Sequence, residues 1–317
     1  MTASTETSPS APPTPPGVPR PQVLFLMGSG HSGSTILGVT LGNCDRFFYA
    51  GELDNWLVRK GASLLGGTER TRFWNEVRDG VEDAESAFGA DAQRYLERSS
   101  AILRPGKAAL RERLRASWAP VTESLYRSIA DTAGAAYIVD SAHFPLRARE
   151  LKRLEGIDVY LIFLVRDPQQ VVHSFVKHIN RHAHAERRWR TLVTNADMSL
   201  TYLLATQVFL GHPRERRALL RHEDFLADPQ GILRSIFALT GSSAAVPDLS
   251  SLQTGFPMQG NRLIKSEMVS FRGKPGPPAH RSRLTAILQL PWRAVFALLR
   301  PRMRPLAPEQ AQGQDGP

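Results

Sequence analysis

The chain has 317 residues, 42% hydrophobic and 22% charged, the balance of a globular α/β domain with insertions rather than of a disordered or wholly membrane-embedded protein. Its single cysteine, Cys44, excludes an internal disulfide framework and any zinc site built on several thiolates. The formal net charge is +10, but eight basic residues and no acidic one lie between Arg272 and Arg304. The body is therefore near neutral, and a whole-surface nucleic-acid footprint is a poor reading.

Residues 1–21 carry Pro9, Pro12, Pro13, Pro15, Pro16, Pro19 and Pro21 among Ser, Thr and Ala, the composition of a disordered, partly polyproline tail. It lacks the apolar core of a signal peptide, and the apolar run 23–27 is too short to span a bilayer, so a cytoplasmic protein is expected. That run stops at Gly28 and reads as a strand buried on both faces of a parallel sheet. Ile36, Leu37, Val39 and Leu41 then supply a helix that Gly42-Asn43 ends. Residues 53–136 show no strong strand; helical spacing around Trp74, Val77, Val81 and around Trp118, Leu125, Ile129 predicts a helical insertion over the site.

Residues 137–139 and 159–165 are two further buried strands with a helix over 145–154 between them, a crossover unit that implies a parallel sheet. Residues 177–217 read as a second helical segment, 219–221 as a weaker strand, and 230–239 as a helix closed near Gly241. The expected architecture is thus α/β: a phosphate-loop NTPase-like parallel sheet flanked by helices over 22–275, with a basic tail over 276–317.

Gly28-Ser29-Gly30-His31-Ser32-Gly33-Ser34-Thr35 lies between the first strand and the first helix. Glycines allow the tight turn, and the unpaired N–H groups of the helix start then point at one place, a geometry that binds phosphate or sulfate. A triphosphate loop needs lysine where Ser34 stands, which argues against a kinase or ATPase. The word His-Ser-Gly-Ser-Thr resembles the Arg/Lys-Ser-Gly-Ser/Thr-Thr loop of sulfotransferases. In that family the loop cradles the 5′-phosphosulfate of 3′-phosphoadenosine 5′-phosphosulfate (PAPS), which implies cofactor contacts from Gly30, His31, Ser32, Gly33, Ser34 and Thr35.

A second segment, Leu164-Val165-Arg166-Asp167-Pro168-Gln169-Gln170-Val171-Val172-His173-Ser174, resembles the family's 3′-phosphate motif, Val-Arg-Asp-Pro-Arg-x-Val-x-x-Ser. Arg166 stands where ligands bind in open α/β sheets and can hold a phosphate through two parallel hydrogen bonds; Pro168 suits an early helix position and brings Ser174 into that helix. Asp140-Ser141-Ala142-His143-Phe144-Pro145 resembles the Asp-Ser-Ser-Lys-x-Pro turn of bacterial members, and the segment 220–229 resembles Leu-Arg-Tyr-Glu-Asp-Leu-x-x-Asp-Pro.

Gly51-Glu52 is similar to the Gly-Glu of tyrosylprotein-type sulfotransferases, whose Glu is the catalytic base, so the resemblance makes Glu52 the candidate base. His31 stands where the family has Arg or Lys, His143 where relatives have Lys, and His222 where they have Tyr. Charge stabilisation would then fall to His31 and His143, with His31 expected to work as the imidazolium. His178, His182 and His184 crowd one helix, but nothing completes a metal site and a solvated face is expected; Trp189 with Arg187, Arg188 and Arg190 would guide an anion. Arg262, Arg272 and Lys274, in the segment that closes over the nucleotide in the family, are candidate 3′-phosphate partners.

Residues 284–299 are apolar between arginines and interrupted by Pro291 and Arg293, so they do not make a span. The stretch 284–304 fits a helix on an anionic membrane surface, and equally one docked on a second subunit or on the body, the last being the commoner outcome. The expectation is a PAPS-dependent sulfotransferase without a metal, acting on a hydroxyl-bearing acceptor that the sequence does not identify. Its rivals are a non-catalytic protein that binds adenosine 3′,5′-bisphosphate or docks on membranes and, behind it, a phosphate-loop kinase. Nothing in the sequence sets the oligomeric state.

Overall fold

The structure is a computed structural model that describes residues 20–180, 187–273, 283–299, 301 and 306. The Pro-rich segment before residue 20, His182, His184, Lys274, Arg300, Arg302 and Arg304 lie outside the described residues, as do the side chains of His178, Trp189, Arg187, Arg188 and Arg190.

The sequence QVLFLMG forms β1 (Gln22–Gly28), with Val23, Leu24, Phe25, Leu26 and Met27 all buried. After it come α1 (Ser34–Gly42), β2 (Phe47–Gly51), α2 (Asp54–Val58), α3 (Thr68–Asp79) and the long α4 (Ala108–Ala133). The chain continues through β3 (Tyr137–His143), α5 (Pro145–Leu151), β4 (Asp158–Val165), α6 (Pro168–Asn180), α7 (Arg187–Leu210) and β5 (Arg217–Arg221). It closes with α8 (His222–Ala227), α9 (Pro229–Thr240), the small hairpin β6 (Leu252–Gln253) and β7 (Met268–Val269), then α10 (Arg283–Leu288) and α11 (Leu290–Leu299).

Five strands make one parallel sheet in the order β2-β3-β1-β4-β5. β1 is central, so the chain crosses over it between β3 and β4, and over β3 between β1 and β2; such switch points open a crevice at the carboxyl ends of the strands. Alternation along the strands divides the interior. Phe25, Ala142, Leu161 and Phe163 pack with Trp118, Leu125 and Phe209 from the helices on one face. Leu24, Leu26, Ile162 and Leu164 pack with Leu37, Phe225 and Ile236 on the other. Each fully buried Leu, Ile or Phe among them contributes about 1.5–3 kcal/mol.

One strand escapes the sequence reading. At β2, FFYAG, there is no apolar–polar alternation to mark a strand, and its identity comes from pairing with β3 and from Tyr49 packing flat against Gly38 of α1. In the turn between α1 and β2, Cys44 is buried, its thiol directed at the Thr40 carbonyl at 3.5 Å and pushed up to about 12 by burial.

The insertion is tied to the sheet by polar groups that the sequence does not single out. Arg147 of α5, 2% exposed, is ion-paired with Glu97 and reaches Asp140 of β3 at 3.2 Å. Tyr126 of α4 donates to Asp140 at 2.6 Å, and Trp118 donates to Glu97 at 2.9 Å. Burial pushes the carboxyl of Glu97 up, opposed by Arg147. Removing one member of such a buried set strands the others, so Arg147→Ala is expected to cost about 3–5 kcal/mol in denaturant unfolding. Arg153→Ala, which removes an exposed partner of Glu150, should cost no more than about 1 kcal/mol.

Candidate functional site

The carboxyl ends of the five strands carry five of the groups singled out from the sequence, while Ser174 lies on α6 and Arg262 and Arg272 lie on later segments. In spatial order the five are Glu52 after β2, His143 at the end of β3, the loop 28–35 after β1, Arg166 after β4 and His222 after β5. The loop therefore has a carboxylate side and a guanidinium side.

Within the loop, Gly33 is the N-cap of α1 with φ +98°, no side chain caps the helix, and its first turn holds no acidic residue. The first helical bond runs from Leu37 N–H to the Gly33 carbonyl, so the earlier N–H groups of the helix lie ahead of it with the positive end of the dipole. Ser32 and Thr35 are buried. A Cβ on Gly28 would collide with the Leu164 carbonyl, one on Gly30 would press on Phe175, and one on Gly33 would enter the His222 ring. The bare positions let the loop pack closely against β4, α6 and His222, and they leave its backbone N–H groups uncovered by side chains of their own, which suits the phosphosulfate end of PAPS.

His31 holds left-handed backbone, φ 63°, uncommon for a residue with a Cβ. Contacts from α6 and its approach fix it there. Arg166 Nη1 donates to the His31 carbonyl at 3.0 Å, Ser174 Oγ is 3.0 Å from His31 Nδ1, and the Phe175 ring lies 4.4 Å away. The two motifs read from the sequence are thereby joined at one residue. Gln170, not singled out by sequence, accepts from Arg166 Nε and Nη2 at 3.3 and 3.0 Å, and Asp167 caps α6 by accepting from Gln170 N–H at 3.0 Å. Glu223 accepts from the Asp167 N–H at 3.1 Å, and Tyr202 lies 3.3 Å from Ser29 Oγ.

His143 is also in left-handed backbone, φ 53°, and burial pushes its imidazole down to about 4. It therefore stands neutral at pH 7, a hydrogen-bonding group rather than the cation found in relatives. His222 is pushed down to about 4 by burial and then by Arg166, and its Nδ1 is buried without a hydrogen-bond partner among the described residues.

Glu52 follows Gly51, whose φ of +79° turns the chain beneath the segment 256–260. That segment runs along the edge of β2: Met258 N–H donates to the Ala50 carbonyl at 2.8 Å, and Glu52 N–H donates to the Gln259 carbonyl at 2.9 Å. Burial, and then the charge of Asp140, push the Glu52 carboxyl up to about 7, opposed by Gln259 Nε2 donating at 3.4 Å. Gln259 is the partner sequence reasoning missed; Asp140 was singled out as the first residue of the 140–145 motif, but not as a neighbour of Glu52. Tyr49 ties this side to the loop, its hydroxyl 3.1 Å from Ser141 Oγ and bonded to Thr35.

Arg262 and Arg272 are exposed, and among the described residues no hydrogen bond or ion pair joins either to the loop. Arg272 does sit beside α8: Phe271 packs edge-on against Phe225 at 5.1 Å, and Gly273 lies against the Leu226 carbonyl. Among the described residues no group of three His, Cys, Asp or Glu side chains is arranged to hold a metal.

A family model described as "Sulfotransferase family" matches residues 21–245. No curated protein matches the sequence significantly. Among solved structures, the sulfotransferase domain from the Synechococcus PCC 7002 olefin synthase is 18% identical, with 88% of this chain and 98% of that chain covered at a TM-score of 0.48. The sulfotransferase domain from the curacin biosynthetic pathway is 17% identical, covering 86% and 98% at a TM-score of 0.49. A sulfotransferase from Alicyclobacillus acidocaldarius is 17% identical, covering 89% and 97% at a TM-score of 0.45.

His143, His222 and His212, the last also pushed down to about 4 by burial, are neutral when folded and take up protons when unfolded below their ordinary value. A depressed folded pKa gives stability that is present above about pH 6.5 and lost toward pH 4, at most about 1.4 kcal/mol per pH unit for each group. Denaturant unfolding followed across that window should show the decline, and His222→Gln should flatten part of it.

Proposed function

The chain belongs to the sulfotransferase family, whose members are PAPS-dependent transferases, and on that premise we propose that it moves a sulfuryl group from PAPS to a hydroxyl of a small-molecule, glycan or lipid acceptor, releasing adenosine 3′,5′-bisphosphate. The observation that carries this reading is the order of groups along the strand ends, with a carboxylate on one side of the anion loop and a guanidinium on the other. A donor with two anionic ends needs a cradle and a separate clamp, and an acceptor hydroxyl needs a base beside the transferring group.

In this mechanism the bare backbone at Gly30, Gly33, Ser34 and Thr35, with the Ser32 and Thr35 hydroxyls, holds the phosphosulfate end. Arg166 and Ser174 hold the 3′-phosphate, and Arg272, packed beside α8, adds a cation there. Glu52 takes the proton of the acceptor hydroxyl as its oxygen bonds to sulfur and the bond from sulfur to the bridging oxygen breaks. A carboxyl held near 7 suits that task at neutral pH. His31, favoured as imidazolium by an anionic neighbour, meets the charge developing on the departing phosphate, and neutral His143 donates a hydrogen bond beside it.

Calorimetry with adenosine 3′,5′-bisphosphate tests the binding half. Arg166→Ala should weaken it by about 10- to 100-fold, since a charge-assisted bond contributes about 1.5–3 kcal/mol, and unchanged affinity in Arg166→Ala with Ser174→Ala would overturn the assignment. Labelled-sulfate transfer tests the chemistry: Glu52→Gln should lower the rate by about 10²- to 10⁴-fold with bisphosphate affinity kept. Because Glu52 acts ionised, the wild-type rate should climb as pH rises through about 7. It should fall again as His31 loses its proton, and His31→Arg should hold the rate at alkaline pH.

A further inference from the structure

The helices α10 and α11 are built inside out. Their helical hydrogen bonds continue through Gln289, whose N–H donates to Thr285 and whose carbonyl accepts from Arg293, each at 3.1 Å. The side facing the body is polar in part: Thr285 and Gln289 are buried, Gln289 Nε2 donates to Asn195 Oδ1 at 2.9 Å, and Arg293 donates to Gln289 Oε1 at 3.3 Å. Phe296 and Leu299 complete that inner side against the core. The side facing away is Ile287, Leu290, Pro291, Ala294, Val295 and Leu298, all exposed, with Ile287 at 62%, Leu290 at 59% and Leu298 at 76%. These positions fall at the three- and four-residue spacing of one helical stripe.

We propose that this stripe is the surface by which the protein lies on an anionic lipid bilayer. A contiguous exposed apolar row marks an interaction surface rather than chance exposure. Charge identifies what it meets. Arg283 is exposed at the head of α10, Arg300, Arg302 and Arg304 follow α11 in sequence, and the whole stretch from Arg272 to Arg304 holds no acidic residue. Cations flanking an apolar helical stripe match acidic headgroups above acyl chains. A second copy of the chain carries the same acid-free stretch and offers these arginines no opposite charge. No helix among the described residues is long and apolar enough to cross a membrane. The stripe lies outside the donor site, and the inference does not depend on the reaction proposed above.

The test is co-sedimentation of the full chain with vesicles of phosphatidylglycerol and phosphatidylcholine, beside phosphatidylcholine alone. The wild type should bind the anionic vesicles, release with added salt, and ignore the neutral ones. Ile287→Ser, Leu290→Ser and Leu298→Ser together should lower partitioning at least about tenfold, with an unchanged circular-dichroism spectrum and unfolding midpoint as the sign of an intact fold. Failure of the wild type to bind, equal binding by the triple variant, or a wild-type dimer in light scattering that the triple variant dissolves would each overturn the proposal.

Discussion

Arg147 is one cation among four carboxyl groups. Glu97 is ion-paired with it, Asp140 accepts from it, Asp54 feels it at a distance, and Glu52 lies within the field of Asp140. Burying that many acids against a single guanidinium is tolerable only if some keep their protons, and Asp54 and Glu97 are accordingly pushed up, burial being the main cause. The same knot joins α4, α5, the turn at Glu97 and the end of β3. It therefore holds in place the Asp140 carboxylate, whose charge helps to raise Glu52. The structural core and the chemistry of the site are set by one electrostatic arrangement.

Much of the sheet was readable because parallel strands are buried on both faces and leave continuous apolar runs. The runs at 23–27 and 159–165 are β1 and β4, and the glycines after the first and the proline after the second mark where each gives way to a helix. β2 left no such trace, since five residues held by pairing and by one tyrosine carry no period of their own. At the site, the loop and the Arg166 segment were legible because glycine spacing and an Arg-Asp-Pro word are local. Gln259 lies 207 positions from Glu52, and Glu97 lies 50 from Arg147, so nothing local joins either pair. Arg147 itself sits in Leu-Arg-Ala-Arg-Glu, where it reads like any solvated helix residue.

On the reading proposed above, the loop would meet its anion with few permanent charges. Helix dipole and bare N–H groups would supply direction and Arg166 a fixed cation, while the three histidines at 31, 143 and 222 stand where the resemblance implies charged or phenolic groups. Two of the three are held neutral by burial. Such a site gains in hydrogen-bond geometry and in response to protons what it gives up in unconditional attraction. His31, itself in the loop, is the one that touches the 164–174 motif, through its carbonyl to Arg166 and its ring to Ser174.

Cys44 carries a separate consequence. It is the chain's only thiol, shut between α1 and β2 with its ionisation suppressed to about 12. Reagents attack the thiolate, so in the folded protein it is nearly inert. Any opening of the α1–β2 turn would expose it and restore an ordinary thiol. Its labelling rate would therefore count openings of that turn, at the carboxyl end of the helix that begins at the glycine loop.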